Sequence, residues 1–271
     1  MTVLVNGVAA PEARISVFDP MVIRGDGCFE SVRSYGGSLF RLAAHLERLA
    51  RSAAALEIPL PAMADLAVWA EQVAAGAGDC SIRILASAGA DGGYPVVVVF
   101  PLPVPEMPVS VALKAVAAPW HPAGSAWELA GVKTLSYAPN MAAGRVAANA
   151  GFDDALLIGR DGQLLELPTS SIGWVVGGVL ETPTLELGIL ASITRQVVLE
   201  LCEQLEIEVR EGVWGVERLD EATEVMVWST VREVMPVTAL DDYGFGVGPV
   251  TSRLAQSYRT LALSEVAART R

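Results

Sequence analysis

Apolar positions along the chain change period repeatedly, and those changes divide it into strands and helices. Leu42, Leu46, Leu49, Ala53 and Leu56 recur at helical spacing and predict a helix over 41–57. Its opposite face carries His45, Glu47, Arg48 and Arg51. Further helices are predicted over 62–75, 137–150, 190–205 and 251–268. Alternation or short apolar runs predict strands over 2–5, 14–18, 28–35, 81–86, 94–100, 109–118, 155–158, 172–176, 179–181, 206–210, 224–229 and 235–240. Gly36-Gly37 turns 28–35 back into a short strand at 38–41, and Asp161-Gly162 joins 155–158 to 163–167 as a hairpin. Arg24-Gly25-Asp26-Gly27 reads as a tight turn, because two glycines flanking an aspartate suit unusual backbone angles.

Prolines 101, 103, 105 and 108 crowd one short stretch and mark a boundary. The expected organisation is a small N-terminal domain over 1–105, a linker and domain start over 106–123, and a larger C-terminal domain over 124–271.

Composition narrows the function. A net charge of -12 disfavours a nucleic-acid backbone as partner and leaves small-molecule chemistry. Cys28, Cys80 and Cys202 are too few and too scattered for a disulfide framework. With only His45 and His121 as histidines, no metal site is expected. No apolar run is long enough to cross a bilayer and no basic leader opens the chain, so the expectation is a soluble cytoplasmic protein.

The chain has two lysines, Lys114 and Lys133. Lys114 lies in an alternating segment and points to its outer face. Lys133 follows Val132 and precedes a helix, with small and hydroxyl neighbours, a setting that suits an amine nucleophile. One such lysine, an arginine on an exposed helix face, a carboxylate after a strand and hydroxyl-rich helix starts are the parts a pyridoxal phosphate site requires. The aldehyde needs the amine, the phosphate needs arginine and free N–H groups, and the ring nitrogen needs a carboxylate.

In ordered combination these segments resemble the fold-type IV pyridoxal phosphate enzymes: branched-chain aminotransferases, D-amino acid aminotransferases and aminodeoxychorismate lyases. The segments that carry the resemblance are Arg24-Gly25-Asp26-Gly27-Cys28-Phe29-Glu30, His45-Leu46-Glu47-Arg48-Leu49, Lys133-Thr134-Leu135-Ser136-Tyr137, Leu164-Leu165-Glu166, Gly188 to Arg195, and Ser229-Thr230. It implies a two-domain α+β or α/β fold. The small N-terminal domain would be α/β, and the larger one would have a barrel-like sheet core with flanking helices. It also implies Lys133 as the Schiff-base lysine and proton carrier, Glu166 at the ring nitrogen and Tyr137 at the ring hydroxyl. Arg48, Ile193, Thr194 and Thr230 would hold the phosphate. A homodimer with a shared active site follows from the same resemblance, and His45 reads as structural.

The chain departs from the family at several places. Ser171-Ile172-Gly173 stands where an asparagine, an apolar residue and an aromatic are usual. The spacing from Lys133 to Tyr137 is one shorter than in typical branched-chain enzymes. Phe29 replaces the tyrosine of D-amino acid aminotransferases, and Ala88 precedes Gly89 where they and many lyases carry arginine. Arg24 and Arg83 are the candidates for holding a substrate carboxylate instead, Arg24 reaching in from a partner subunit. The resulting expectation is a transaminase of atypical D-amino acid type acting with a 2-oxo acid. Aminodeoxychorismate lyase is the alternative, and branched-chain L-amino acid transamination a further one.

Overall fold

The computed structural model describes residues 2–90, 93–122 and 127–269. The chain forms two compact units: Met1–Pro105 with Val132–Tyr137 and Ala262–Arg271, and Glu106–Gly131 with Ala138–Leu261. The division expected between 123 and 124 lies outside the described residues.

The first unit contains β1 (Val3–Val5), β2 (Val8–Ala10), a short α1 (Pro20–Arg24), β3 (Cys28–Tyr35), β4 (Ser38–Leu39), α2 (Leu42–Ala55), α3 (Met63–Ala77), β5 (Cys80–Ser87) and β6 (Val96–Leu102). Its six-stranded sheet is antiparallel, in the order β2-β1-β6-β5-β3-β4. Leu46 and Leu49 of α2 and Leu66, Ala70 and Val73 of α3 share one core with Leu4, Val32, Ile82, Ile84 and Val99 of the strands. Every residue of β3 is buried, so both of its faces must be satisfied by neighbours, polar side chains included.

Three expectations fail in this unit, each for a local reason. Residues 14–18 are not a strand. They have no pairing partner, and Val17 and Phe18 are 69% and 66% exposed. The chain turns there instead into α1, which Asp19 caps and Pro20 begins. His45 and Arg48 do not lie on an exposed face of α2; both are buried, with Leu42, Leu46, Leu49, Ser52 and Ala53. Helical spacing finds the apolar stripe but not a polar shoulder whose partner is a distant strand. Lys133, finally, does not belong with the second unit. Phe29 N–H donates to Lys133 O at 3.1 Å, Leu135 N–H donates to Gly27 O at 2.8 Å, and Cys28 bridges Thr134. These backbone bonds attach Val132–Tyr137 to the start of β3.

The second unit contains β7 (Val111–Ala117), α4 (Ala138–Asn149), β8 (Asp154–Ile158), β9 (Ser171–Val176), β10 (Val179–Pro183), α5 (Ile193–Gln204), β11 (Val209–Gly212), β12 (Glu224–Ser229), β13 (Glu233–Leu240), β14 (Tyr243–Gly244) and α6 (Pro249–Arg269) as far as Leu261. Its sheet runs β11-β10-β9-β12-β13-β7-β8, with β14 on β13. Residues 163–167 are not the regular strand their hairpin pattern predicts. They bond to β8 through Leu165 N–H to Leu157 O, and toward the other edge through Leu164 N–H to Trp214 O. That double attachment joins the two edges, so the sheet curves into a barrel-like form. The strand expected over 206–210 starts later because Leu205 ends α5, Glu206 takes φ 55°, and Ile207 N–H caps Cys202 O.

Gly173 explains one departure from the family pattern. It pairs with Met226, and a Cβ built there would lie 2.4 Å from Trp228 Cη2 and 3.1 Å from Glu181 O. The absent side chain makes room for a fully buried indole. Gly173→Ala should therefore destabilise the protein by about 1–3 kcal/mol, the usual range for overpacking. Thermal unfolding checks this, and a wild-type Tm would show that the indole has room to move.

Candidate active site

Lys133 is 9% exposed. Its backbone N–H donates to Ser52 Oγ at 3.2 Å, which pins the residue to α2. Its amine lies 4.4 Å from the centre of the Phe29 ring and donates to Tyr137 Oη at 3.4 Å. Phe29 and Tyr137 meet edge to face at 5.3 Å, so two aromatic rings wall the amine. Lys114 is differently placed: it pairs with Asp241 at 3.1 Å.

Arg83 lies on β5 next to this group, its guanidinium 5.4 Å from the Phe29 ring centre. Its Nε is buried with no hydrogen-bond partner. Burial pulls the guanidinium below the usual arginine value, and the Tyr137 hydroxyl and Glu30 pull the other way. A buried arginine nitrogen left without an acceptor is an opening for an anion.

Behind the amine is a buried ion cluster. Glu30 has no exposure. Arg48 donates Nε–H to Glu30 Oε1 at 2.7 Å and Nη2–H to Oε2 at 2.8 Å, while His45 Nδ1 lies 2.8 Å from Oε2. Burial alone would raise the Glu30 carboxyl; the paired guanidinium outweighs it and holds the group well below the usual carboxylate range. His45 is pushed down, first by burial and then by the charges of Arg48 and Lys133, against the pull of Glu30. A neutral imidazole beside a carboxylate carries its proton on Nδ1 and donates it. Glu30 uses the Nε–Nη2 edge of Arg48, so the orientation of the opposite edge is fixed.

Arg24 ends α1 with its side chain 67% exposed and its Nε 3.5 Å from Asp26. It stands apart from the buried group.

The second unit gathers a different set. Glu166 accepts from Leu190 N–H at 3.2 Å, and His121 Nε2 is 3.9 Å away. His121 Nδ1 is buried without a partner. Neither the Leu190 amide nor His121 is legible as a site group in sequence, since both contacts come from loops brought together only by the fold. At the start of α5, Ser192 caps the helix and Ile193 and Thr194 are buried. Thr194 Oγ1 has no hydrogen-bond partner. A helix start with its first N–H groups and a spare hydroxyl is a ready anion cradle. Thr230 is half-buried in the turn between β12 and β13.

The family model for amino-transferase class IV matches residues 27–240. The chain belongs to the class IV aminotransferases. These use pyridoxal phosphate, and the enzyme is accordingly a pyridoxal phosphate-dependent transaminase of fold type IV. It is 30% identical to a putative branched-chain-amino-acid aminotransferase of Methanocaldococcus jannaschii over 96% of each chain. It is 30% identical to a D-alanine aminotransferase of Bacillus licheniformis, covering 98% of this chain and 99% of that one. An aminodeoxychorismate lyase of Bacillus subtilis is 28% identical over 95% of this chain and 93% of its own. A fold IV transaminase structure from Curtobacterium pusillum superposes with TM-score 0.87 at 30% identity, covering 97% of this chain and 99% of its own. The pyridoxal phosphate-bound structure of a hypothetical aminotransferase from Mycobacterium tuberculosis gives 0.90 at 25% identity, covering 98% and 100%.

The residues present in this aminotransferase fit the cofactor. Thr194 Oγ1 is an orphaned hydroxyl at a helix start, and Lys133 is a shielded amine. Among the described residues no group of three or more His, Cys, Asp or Glu is placed to hold a metal ion, and no helix is long and apolar enough to cross a membrane.

The buried cluster carries a pH signature. His45 is held neutral, so its contribution is complete above about pH 6.5 and falls as the unfolded chain takes up a proton below that. The depressed Glu30 carboxyl contributes fully above about pH 4.3 and loses its contribution as pH falls toward its folded value. The Tm of the wild type should therefore drop in two limbs on acidification. His45→Asn should flatten the upper limb, and Glu30→Gln the lower one while lowering Tm at neutral pH. Unaltered slopes in both variants would mean the cluster does not govern acid stability.

Proposed function

We propose that this transaminase moves an amino group between a D-amino acid and a 2-oxo acid, with Arg83 and Arg24 taking the substrate carboxylate. The supporting observation is the Arg83 Nε, buried, without a partner, and beside the Phe29 ring that also walls the Lys133 amine. A planar guanidinium matches a carboxylate with two parallel bonds, and the aromatic face beneath it limits its motion. Several D-alanine aminotransferases lie among the relatives, which favours the D-series.

Lys133 would hold the cofactor at its aldehyde carbon, and Glu166 would face the ring nitrogen. Tyr137 would meet the ring hydroxyl, while Arg48, Ile193, Thr194 and Thr230 would hold the phosphate. When bound, the cofactor supplies an electron sink that acidifies the substrate α-carbon. The Lys133 amine would be the base that moves a proton between the substrate α-carbon and the cofactor's C4′ carbon. Its aromatic walls exclude water from the amine. Glu166, fixed by the Leu190 amide, keeps its carboxylate in one orientation.

We further propose a homodimer. Val17, Phe18, Val22 and Ile23 expose 52–69% of their surface on the segment that ends in Arg24. An apolar strip of this kind suits burial against a second copy, which would bring Arg24 to the partner's site.

A second reading keeps aminodeoxychorismate as substrate, with 4-aminobenzoate and pyruvate as products. It is favoured by the lyase relative, and by a Mycobacterium tuberculosis relative described as a bifunctional aminodeoxychorismate lyase and D-amino acid transaminase.

Holoenzyme mixed with D-alanine and no 2-oxo acid should lose its cofactor absorbance band and release pyruvate stoichiometrically. L-leucine should do so far more slowly. No spectral change with any D-amino acid, together with pyruvate from aminodeoxychorismate, would establish the lyase reading. Borohydride should fix the cofactor to Lys133 and leave Lys114 unlabelled. Arg83→Ala should raise KM for the amino donor about 10- to 100-fold, the loss of one charged hydrogen bond. An unchanged KM would remove Arg83 from the carboxylate site.

A further inference from the structure

Asp19 is 1% exposed, yet no basic side chain among the described residues pairs with it. Its Oδ1 accepts from Met21 N–H at 2.9 Å, which caps α1, and from the Ser87 hydroxyl at the end of β5. Ser87 has no exposure, and its Oγ also accepts from Gly89 N–H at 3.0 Å. Gly89 takes φ 83°, with Tyr94 O 2.2 Å from where its Cβ would lie, so this turn is tight as well.

The energetics single the aspartate out. Capping a five-residue surface helix needs only an exposed Ser, Thr or Asn. A carboxylate taken out of water without a cation costs more than such a cap contributes. Meanwhile α1 buries none of its own side chains. The segment from Asp19 to Phe29 is therefore held at its two ends. At the far end Ser136 Oγ donates to Gly25 O at 3.1 Å, Leu135 N–H donates to Gly27 O, and Phe29 N–H donates to Lys133 O. At the near end the tie is Asp19 to Ser87. Arg24 sits between the two anchors.

We propose that Asp19 and Ser87 are positioning residues for substrate carboxylate recognition: they latch α1 to the end of β5 and so fix where Arg24 is presented. The inference rests on the reading of Arg24 as a carboxylate ligand. The latch acts on substrate affinity and leaves the cofactor residues alone, since among the described residues the side-chain hydrogen bonds of Asp19 and Ser87 go to one another, to Met21 N–H and to Gly89 N–H, and none goes to Lys133, Phe29 or Tyr137.

The test uses holoenzyme of Ser87→Ala, Asp19→Ala, Asp19→Asn, Arg24→Ala and the double variant Ser87→Ala/Arg24→Ala. Ser87→Ala keeps the helix cap and serves even if Asp19→Ala folds poorly. It should raise KM for the amino donor about ten-fold, and raise by a similar factor the Kd of D-lactate, a carboxylate without an amine to react. Its kcat and cofactor retention should stay within about two-fold of wild type. Asp19→Asn, which can still accept both bonds, should restore most of the affinity lost in Asp19→Ala. The double variant should be no worse than Arg24→Ala alone. If Arg24→Ala raises KM while Ser87→Ala and Asp19→Ala do not, the latch is refuted and the role of Arg24 stands. If Arg24→Ala changes nothing, the reading of Arg24 fails and the latch fails with it. A parallel fall of kcat, affinity and cofactor retention in Ser87→Ala would reveal an ordinary structural contact and overturn the proposal.

Discussion

A carboxylate with no access to water organises the first unit. Glu30 sits on a strand covered on both faces, and its charge is tolerable only because Arg48 grips it bidentately and His45 donates a third bond. In a low-dielectric setting an unmatched member of such a cluster would be far more costly than the cluster itself. The three residues therefore fix one another. The register of β3, the rotation of α2 and the direction of the Arg48 guanidinium are set together. Ser52, one turn further along the same helix, then receives the backbone of Lys133.

The position of the Lys133 amine follows from backbone pairing more than from side-chain chemistry. Residues 132–137 lie far from β3 in sequence but bond to its first residues. Gly25 and Gly27 permit this approach. A Cβ on Gly27 would come 2.7 Å from Leu135 Cδ1, and one on Gly25 2.9 Å from Ser136 Oγ. The glycine-aspartate-glycine stretch is thus a docking surface for the lysine segment. Phe29, whose N–H donates to Lys133 O in the docked stretch of strand, is consequently the ring under the amine.

Much of the fold was legible because it rests on local periodicity. Strands at 28–35, 224–229 and 235–240 and helices over 41–57 and 251–268 appear within a few residues of their expected bounds. Failures occurred where a pattern had no partner, as at 14–18, or where the partner was remote. Residues 163–167 alternate like a strand, yet they divide their hydrogen bonds between β8 and the segment after β11. Hydropathy cannot register that division, because it records which face is apolar and not which neighbour supplies the carbonyls.

Sequence by itself determined the inventory. Two lysines left one amine in a suitable setting, the order of the motifs pointed to fold type IV, and a class IV family model covers residues 27–240. Only tertiary structure decided which charges are buried and with whom. His45 and Arg48 look like surface residues of a helix until Glu30 arrives beneath them from a strand. Arg24 and Arg83 look alike as candidate clamps until one proves exposed and the other walled against Phe29. The physical reason is that the cost of a charge depends on its solvent and its partners. Both are properties of three-dimensional neighbours that a linear spacing does not contain.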